Sequence, residues 1–282
     1  MNTLEIDDHT YQYPNKLDQL NREQLAGVYQ RITRKGKKNV WADVLKIIFP
    51  ECPNLRKLTA QIEIDSDLSL QQGALTQTML ERTAEAIVRK GELMKDTLHS
   101  FVHHKRTYIG PGNGFAMLTV REYIHAYELS FYYAQNPENN AHLLHQLIYC
   151  LYRPQVQDDN PENPQADLRA PFHYALLERR GNAFADLPWH LKAIIYQYFV
   201  HCQDALIIQK HENIFSQGGT PTKAAKGTPK PIDWGELITL MTQGDSIRKE
   251  ATMNERVVEW FFMKNTLIAE AKKDQARRLA HK

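Results

Sequence analysis

The chain opens with alternating apolar and polar residues. Leu4 and Ile6 stand between polar neighbours, residues 7–10 are polar, and Tyr11 and Tyr13 resume the alternation. A period of two on each side of a polar turn is typical of a β-hairpin. The sequence therefore predicts a small N-terminal hairpin, which is marginal alone and has to pack on something or add to a partner's sheet.

Beyond the hairpin, apolar residues recur at steps of three and four, which is the period of an amphipathic helix. Helices are predicted to begin near residues 21, 40, 75, 119, 136, 188, 234 and 254, and the helix from 75 to extend to about 102. The stretch 62–64 is a candidate short strand. The predicted fold class is mainly α, a multi-helix domain with a small N-terminal β-hairpin and a C-terminal helical pair.

Residues at the ends of these segments sharpen the predicted boundaries. Thr119 with Glu122 three residues later is the pattern of a capping box. Asn136 followed by Pro137 predicts an N-cap with proline at the first helical position. The glycine-rich stretch 110–114 predicts a turn between two helices, and 155–170 predicts a polar surface loop.

The segmentation suggests four parts of the chain. Residues 1–65 hold the hairpin and short helices, 66–215 form a central helical domain, and 233–282 form a C-terminal helical segment. The intervening segment 216–232 is rich in glycine, threonine, proline and lysine. Because such a composition buries little apolar surface, we expect a linker or mobile loop there.

Composition and charge narrow the class of protein. Hydrophobic residues are 42% and charged residues 24%, which is ordinary for a globular protein and excludes wholesale disorder. The net charge of +2 gives no support to nucleic-acid binding. A basic run over 31–38 could contact phosphates, but such a run is more often a solvated loop.

Location is predicted from what the sequence lacks. The polar, acidic start has no basic and then apolar run, and no apolar stretch reaches the roughly 20 residues of a membrane span. Three widely spaced cysteines, Cys52, Cys150 and Cys202, form neither a disulfide framework nor a zinc pattern. We expect a cytoplasmic protein with reduced cysteines and no membrane contact.

Motifs for catalysis are missing. The sequence contains no His-Glu-x-x-His, no Gly-x-Ser-x-Gly and no P-loop. Glu122 and His125 match one Glu-x-x-His unit of di-iron helical bundles, but that chemistry needs two such units and two further glutamates. We therefore expect no enzyme, no catalytic residue and no cofactor.

The rival hypothesis is a metal-dependent helical enzyme. The chain has 12 histidines, and His99 and His103 are four residues apart in a predicted helix, with His125 as a third ligand. That spacing lets two imidazoles converge on one ion. The ordinary alternative is a set of partly exposed helix histidines, which the absence of completing carboxylates favours.

In some helices the aromatic residues extend beyond a single face, and this pattern indicates partner binding. Trp260 and Phe261 belong to a run of large apolar side chains, and Phe131 belongs to another. A helix that is apolar on all sides is either deeply buried or uses two faces. Burial is the commoner cause, and a groove for a partner helix is the second. The predicted partner contacts are Trp234, Trp260, Phe261 and Phe131.

The order of several segments carries a family resemblance. These segments are Leu17–Leu20, Leu118–Ile124, Leu143–Pro154, Trp234–Ile238, Gly244-Asp245, Val257-Val258 and Phe262. In this order they resemble helical proteins of the tail modules of tailed bacteriophages, in particular tail assembly chaperones. The resemblance implies a helical protein of the host cytoplasm that binds the long tape-measure protein and helps to recruit tail-tube subunits. A structural virion subunit of the neck or tail is the alternative, and no binding residue is carried over by motif.

Overall fold

The computed structural model of the chain describes residues 2–6, 9–14, 17–32, 40–48, 93, 95–96, 98–156, 167–208 and 232–280. The predicted strand at 62–64, most of the predicted helix from 75 and all but the last residue of the predicted linker at 216–232 lie outside these residues. By its internal contacts the chain divides into two units. One comprises residues 1–97 with 188–197, and the other comprises 98–187 with 198–282.

The first unit contains the predicted hairpin. Strands β1 (Asn2–Ile6) and β2 (His9–Tyr13) pair antiparallel, with Leu4 opposite Tyr11, which confirms the prediction from the alternation. Helices α1 (Arg22–Ile32) and α2 (Val40–Ile48) pack on each other.

The start of α1 is capped reciprocally. The N–H of Gln24 donates to Asn21 Oδ1 (2.8 Å), and the N–H of Asn21 donates to Gln24 Oε1 (3.0 Å). Both donors would otherwise lack a partner within the helix, so this pair stabilises the helix at its predicted first turn.

The second unit contains a three-stranded antiparallel sheet that the sequence patterns did not indicate. Its strands are β3 (Ser100–His103), β4 (Arg106–Ile109) and the two-residue β5 (Arg153–Pro154), with β4 in the middle. Phe101 and Tyr108 lie opposite each other and are buried, whereas Val102 is exposed. The predicted helix up to residue 102 is therefore wrong at its end, because these residues alternate between two faces.

The remaining helices belong mostly to the second unit. They are α3 (Val120–Gln135), α4 (Ala141–Leu151), α5 (Leu177–Gly181), α6 (Trp189–Cys202, with a π-helical continuation over Gln203–Ile208), α7 (Trp234–Met241), α8 (Ser246–Asn254) and α9 (Val257–Ala280). The predicted mainly helical fold is thus confirmed. Among the described residues, no helix is both long enough and apolar enough to cross a bilayer.

Hydrogen bonds at helix ends confirm one predicted boundary and correct another. Thr119 and Glu122 form the predicted capping box at the start of α3. Asn136, in contrast, ends α3, since its N–H donates to the carbonyl of Tyr133 (3.2 Å). Helix α4 begins at Ala141, because Pro137 lies in a turn, where its fixed φ is equally suitable.

Two further connections differ from the prediction. The glycine-rich stretch 110–114 follows strand β4 and not a helix, and Gly114 has a φ of 58° where an added Cβ would lie 3.0 Å from Leu206 Cδ1. In the C-terminal segment a third helix, α8, lies between the two predicted helices. Asp245 caps it by accepting from the N–H groups of Ile247 (2.9 Å) and Arg248 (3.1 Å).

Candidate functional site

The aromatic residues predicted to contact a partner lie mainly in the core of the second unit. Trp234, Trp260 and Phe261 are 2%, 0% and 1% exposed. The rings of Trp234 and Phe261 are 5.8 Å apart and both pack edge-on against Tyr123. Phe131 is half-buried. The three buried side chains therefore offer no surface to a partner in this structure.

The start of α9 is tied to the start of α3 by backbone hydrogen bonds. The N–H of Val120 donates to the carbonyl of Glu255 (2.9 Å), and the N–H of Val257 donates to the carbonyl of Leu118 (2.9 Å). Together they form a short antiparallel bridge between Thr119 and Arg256. The C-terminal helices are thus part of the second unit.

A buried ionic network surrounds Glu122. The side chains of Arg153 and Arg169 are both buried and both pair with its carboxylate, Arg169 Nη2 at 3.2 Å from Oε2. Asp167 completes the network, with its carboxylate 2.9 Å from Arg169 Nε and 3.4 Å from Arg256 Nη1. Buried charges are stable only when paired in this way. The network joins α3, β5, the segment after residue 166 and the start of α9.

Backbone carbonyls and electrostatic interactions also hold the side chains of this network. Arg169 also donates to the carbonyls of Leu151 (3.2 Å) and Met117 (2.6 Å). Burial raises the pKa of Asp167. Hydrogen bonds from Arg169 and the positive charges of Arg169 and Arg153 lower it by more, so the pKa lies below its ordinary value. Glu122 is therefore a structural carboxylate that caps α3 and neutralises buried arginines.

The exposed apolar side of α9 lies just beyond the buried aromatics. Phe262, Met263 and Leu267 are 67%, 48% and 57% exposed, and we call them the α9 apolar surface. Successive helical residues are rotated by about 100°, so residues two positions apart point in nearly opposite directions. Since Trp260 and Phe261 point into the core, Phe262 and Met263 have to point away from it. The sequence contained this signal within the same apolar run.

The histidines predicted as metal ligands do not form one site. His99 is exposed and precedes β3, and His103 lies at the end of that strand. His125 is half-buried on α3, where its ring stacks on Tyr174 at 4.6 Å. Burial, and then the positive charge of Arg121, lowers the pKa of His125. The predicted helical spacing fails because residues 100–103 are a strand.

A different group of possible ligands forms at the β3–β4 turn. His103 Nε2 and His104 Nε2 each lie 3.2 Å from a carboxylate oxygen of Asp186, and the three ligand atoms are within 4.8 Å of one another. His103 Nε2 also lies 2.8 Å from the carbonyl oxygen of Ala183. Two imidazoles and one carboxylate are the donors of an open zinc site. His104 was not predicted as a ligand, because its partner Asp186 is distant in sequence.

A cleft of about 480 Å³ lies beside this turn, and we call it the arginine cleft. Its lining residues are Arg106, Tyr108, Tyr149, Pro154, Ala170, Arg179, Arg180 and Ala183. Three arginines and two tyrosines offer N–H and O–H donors, so the cleft is suited chemically to a negatively charged group. Sequence reasoning missed it, because the lining residues come from separate segments.

Comparison with known proteins does not assign the chain to a family. No protein-family model matches the chain, and no curated protein and no solved structure matches it either.

Proposed function

We propose that this protein is a non-enzymatic binding protein that holds an amphipathic helix of another protein against the α9 apolar surface. The observation that carries the proposal is the exposure of Phe262, Met263 and Leu267 on one helix. Met263 and Leu267 are four residues apart and therefore lie on one face. Large apolar side chains grouped on an exposed helix are the usual anchors of helix-to-helix recognition.

The distal half of α9 supports the same proposal. Its residues 270–274, 277 and 278 are all exposed, although the helix extends to residue 280. An isolated helix shorter than about 12–15 residues is marginal in water, because helix stability in proteins comes mostly from packing. A second helix lying along α9 at roughly 8–10 Å would supply that packing.

Charge indicates the kind of helix that would bind. The distal half of α9 carries four exposed basic residues, Lys272, Lys273, Arg277 and Arg278, against the acidic Glu270 and Asp274. Complementary charge speeds encounter and selects partners. We therefore expect the bound helix to carry acidic residues beside its apolar stripe.

The resemblance to tail assembly chaperones supports a specific partner. A tape-measure protein is a long amphipathic helical chain, and an exposed apolar helix surface is what would keep a segment of it soluble. We infer a role in phage tail assembly in the host cytoplasm. A structural virion subunit remains the alternative within the same class. Mass spectrometry of finished particles separates the two, because a subunit is retained in the particle and a chaperone is absent.

The test of the binding proposal is a pull-down from cells expressing the neighbouring genes. We expect the unmodified chain to recover a long helical protein. Changing Phe262, Met263 and Leu267 together to Ala should weaken that capture by at least about tenfold, since clustered anchors carry most of the binding energy.

A matched control is Ile247→Ala, which truncates an apolar side chain that is 81% exposed on α8. Circular dichroism and thermal melting should show that both proteins remain folded. Equal capture by the triple variant and the control would overturn the α9 assignment. Recovery of no partner by the unmodified, monomeric protein would count against an assembly role altogether.

The second candidate function is a metal-dependent enzyme, and the group of His103, His104 and Asp186 is the observation in its favour. It replaces the predicted set of His99, His103 and His125. Metal analysis of protein purified without an affinity tag tests this candidate. About one zinc-class ion per chain, lost in His104→Ala, would support it, and the absence of stoichiometric metal would reject it.

A further inference from the structure

The walls of the arginine cleft are held in place by backbone pairing. Arg106 and Tyr108 lie on β4, and Tyr108 pairs with Pro154 of β5. The N–H of Ala170 donates to the carbonyl of Pro154 (2.8 Å), which fixes the neighbouring wall. A site built on paired strands is shaped before any ligand arrives, and this lowers the ordering cost of binding.

The cleft concentrates positive charge without compensation. Arg106, Arg179 and Arg180 line it, and its lining includes no aspartate or glutamate. Within the part of the chain that the structure describes, none of these three arginines forms an ion pair with a carboxylate. Like charges that share a cleft repel, and an anion between them would relieve that repulsion.

Tyr149 orients one of the three arginines. Arg180 Nη1 donates to the hydroxyl of Tyr149 (3.1 Å), and its guanidinium lies over the Tyr149 ring at 5.8 Å. Tyr149 is buried, so Arg180 is held by a fixed ring. The Tyr149 hydroxyl accepts from Arg180 and keeps its own proton to donate. Burial raises the pKa of Tyr108, and the positive charges of Arg106 and Arg180 offset part of that rise, so its hydroxyl keeps its proton and can donate as well.

We propose that the arginine cleft binds a small organic phosphate, with the phosphoryl group between Arg106, Arg179 and Arg180. Guanidinium groups bind phosphate through two parallel hydrogen bonds, which ammonium groups cannot do. The volume of about 480 Å³ lies within the range of small-molecule sites and leaves room for a carbon skeleton beside the phosphoryl group.

The rest of the lining indicates what that carbon skeleton contacts. Pro154, Ala170 and Ala183 give an apolar wall, and the Tyr108 and Tyr149 rings give flat surfaces. A ring that carries one phosphate matches this combination of apolar wall and charged end. Nucleic acid is the competing source of phosphate, but the near-neutral net charge of +2 does not supply the broad positive field that nucleic-acid binding uses.

The test is isothermal titration of the full chain at constant ionic strength with three probes, which are phenyl phosphate, inorganic phosphate and a single-stranded oligonucleotide. We expect phenyl phosphate to bind one to one and more tightly than inorganic phosphate. Combining Arg106→Gln with Arg179→Gln should weaken its binding by at least about tenfold, because two charge-assisted hydrogen-bonding partners are removed. Both side chains are exposed, so the fold should survive, and a thermal melt checks this.

Arg248→Gln is the matched control, since it removes one exposed arginine from α8, outside the cleft lining. It should bind phenyl phosphate as the unmodified protein does, and so should the triple variant of the α9 apolar surface. No binding of phenyl phosphate at millimolar concentration would overturn the proposal. Equal affinity in the double variant and the control would also overturn it, as would binding confined to the oligonucleotide.

Discussion

Glu122 shows how one side chain takes part in both local and long-range structure. Its Oε2 accepts from the N–H of Thr119 (3.1 Å) in the capping box, and the same carboxylate pairs with the buried Arg153 and Arg169. The capping role could be predicted from four residues of sequence. The pairing could not, because its partners lie 31 and 47 positions away.

Glu122→Gln should therefore destabilise the protein far more than a lost cap would. Glutamine preserves the acceptor for Thr119, but it leaves two buried guanidinium groups without their shared counter-charge. Removing one partner of a buried pair costs about 3–5 kcal/mol. The matched control is Glu250→Gln, which breaks the exposed pair with Arg121 (2.6 Å) and should cost less than about 1 kcal/mol. Urea denaturation measures both, and similar losses for the two variants would contradict this account.

The pKa of Asp167 predicts an acid-sensitive contribution to folding. Since its folded-state pKa lies below the ordinary value of 3.8, ionised Asp167 stabilises the fold above that value. The contribution is lost as pH falls below 3.8 through the folded-state pKa. The difference in unfolding free energy between the unmodified protein and Asp167→Asn should therefore be constant near neutral pH and shrink below pH 3.8. A difference that does not change with pH would exclude this role.

At the scale of elements, the β3–β4 turn is a strained connection. His104 and Lys105 have φ values of 46° and 61°, so both lie in the left-handed region. A two-residue hairpin turn with two positive φ values is normally built from asparagine, aspartate or glycine. The absence of those residues explains why the sequence did not indicate this hairpin.

Lys105→Gly should stabilise the protein by up to about 1 kcal/mol. Left-handed backbone costs an L-residue about 1–2 kcal/mol, and the greater freedom of glycine in the unfolded chain offsets part of the gain. Lys105→Ala is the control, because it removes the same side chain and keeps the Cβ. Denaturation midpoints compare the two, and a gain of equal size from alanine would show that the turn is not strained at this residue.

At the scale of the whole molecule, neighbouring residues of α9 face the core and the solvent. Trp260 lies in the core beside Phe261 (5.0 Å between ring centroids), and Phe262 is exposed. Trp260→Ala should lower the free energy of unfolding by about 3–5 kcal/mol, because it leaves a large cavity. Phe262→Ala should change it by less than about 0.5 kcal/mol and act on partner binding alone. Comparable stability losses in both variants would refute the assignment.

Much of the local structure follows from sequence patterns a few residues long. The N-terminal hairpin, the capping box of Thr119 and Glu122 and the helical character of most of the chain depend on alternation, on a three-to-four period and on side chains that reach nearby backbone groups. Such features need no knowledge of where distant segments lie.

Four features could not be predicted without the folded chain. They are the three-stranded sheet, the network around Glu122, the arginine cleft and the orientation of α9. Each depends on segments that are far apart in sequence, such as Arg106 on β4 and Arg179 on α5. A helix that is apolar on two sides is compatible with either side facing the core, so its sequence does not distinguish Trp260 from Phe262. Packing against α3 makes that choice, because the hydrogen bonds of Val120 and Val257 fix the rotation of α9 about its axis.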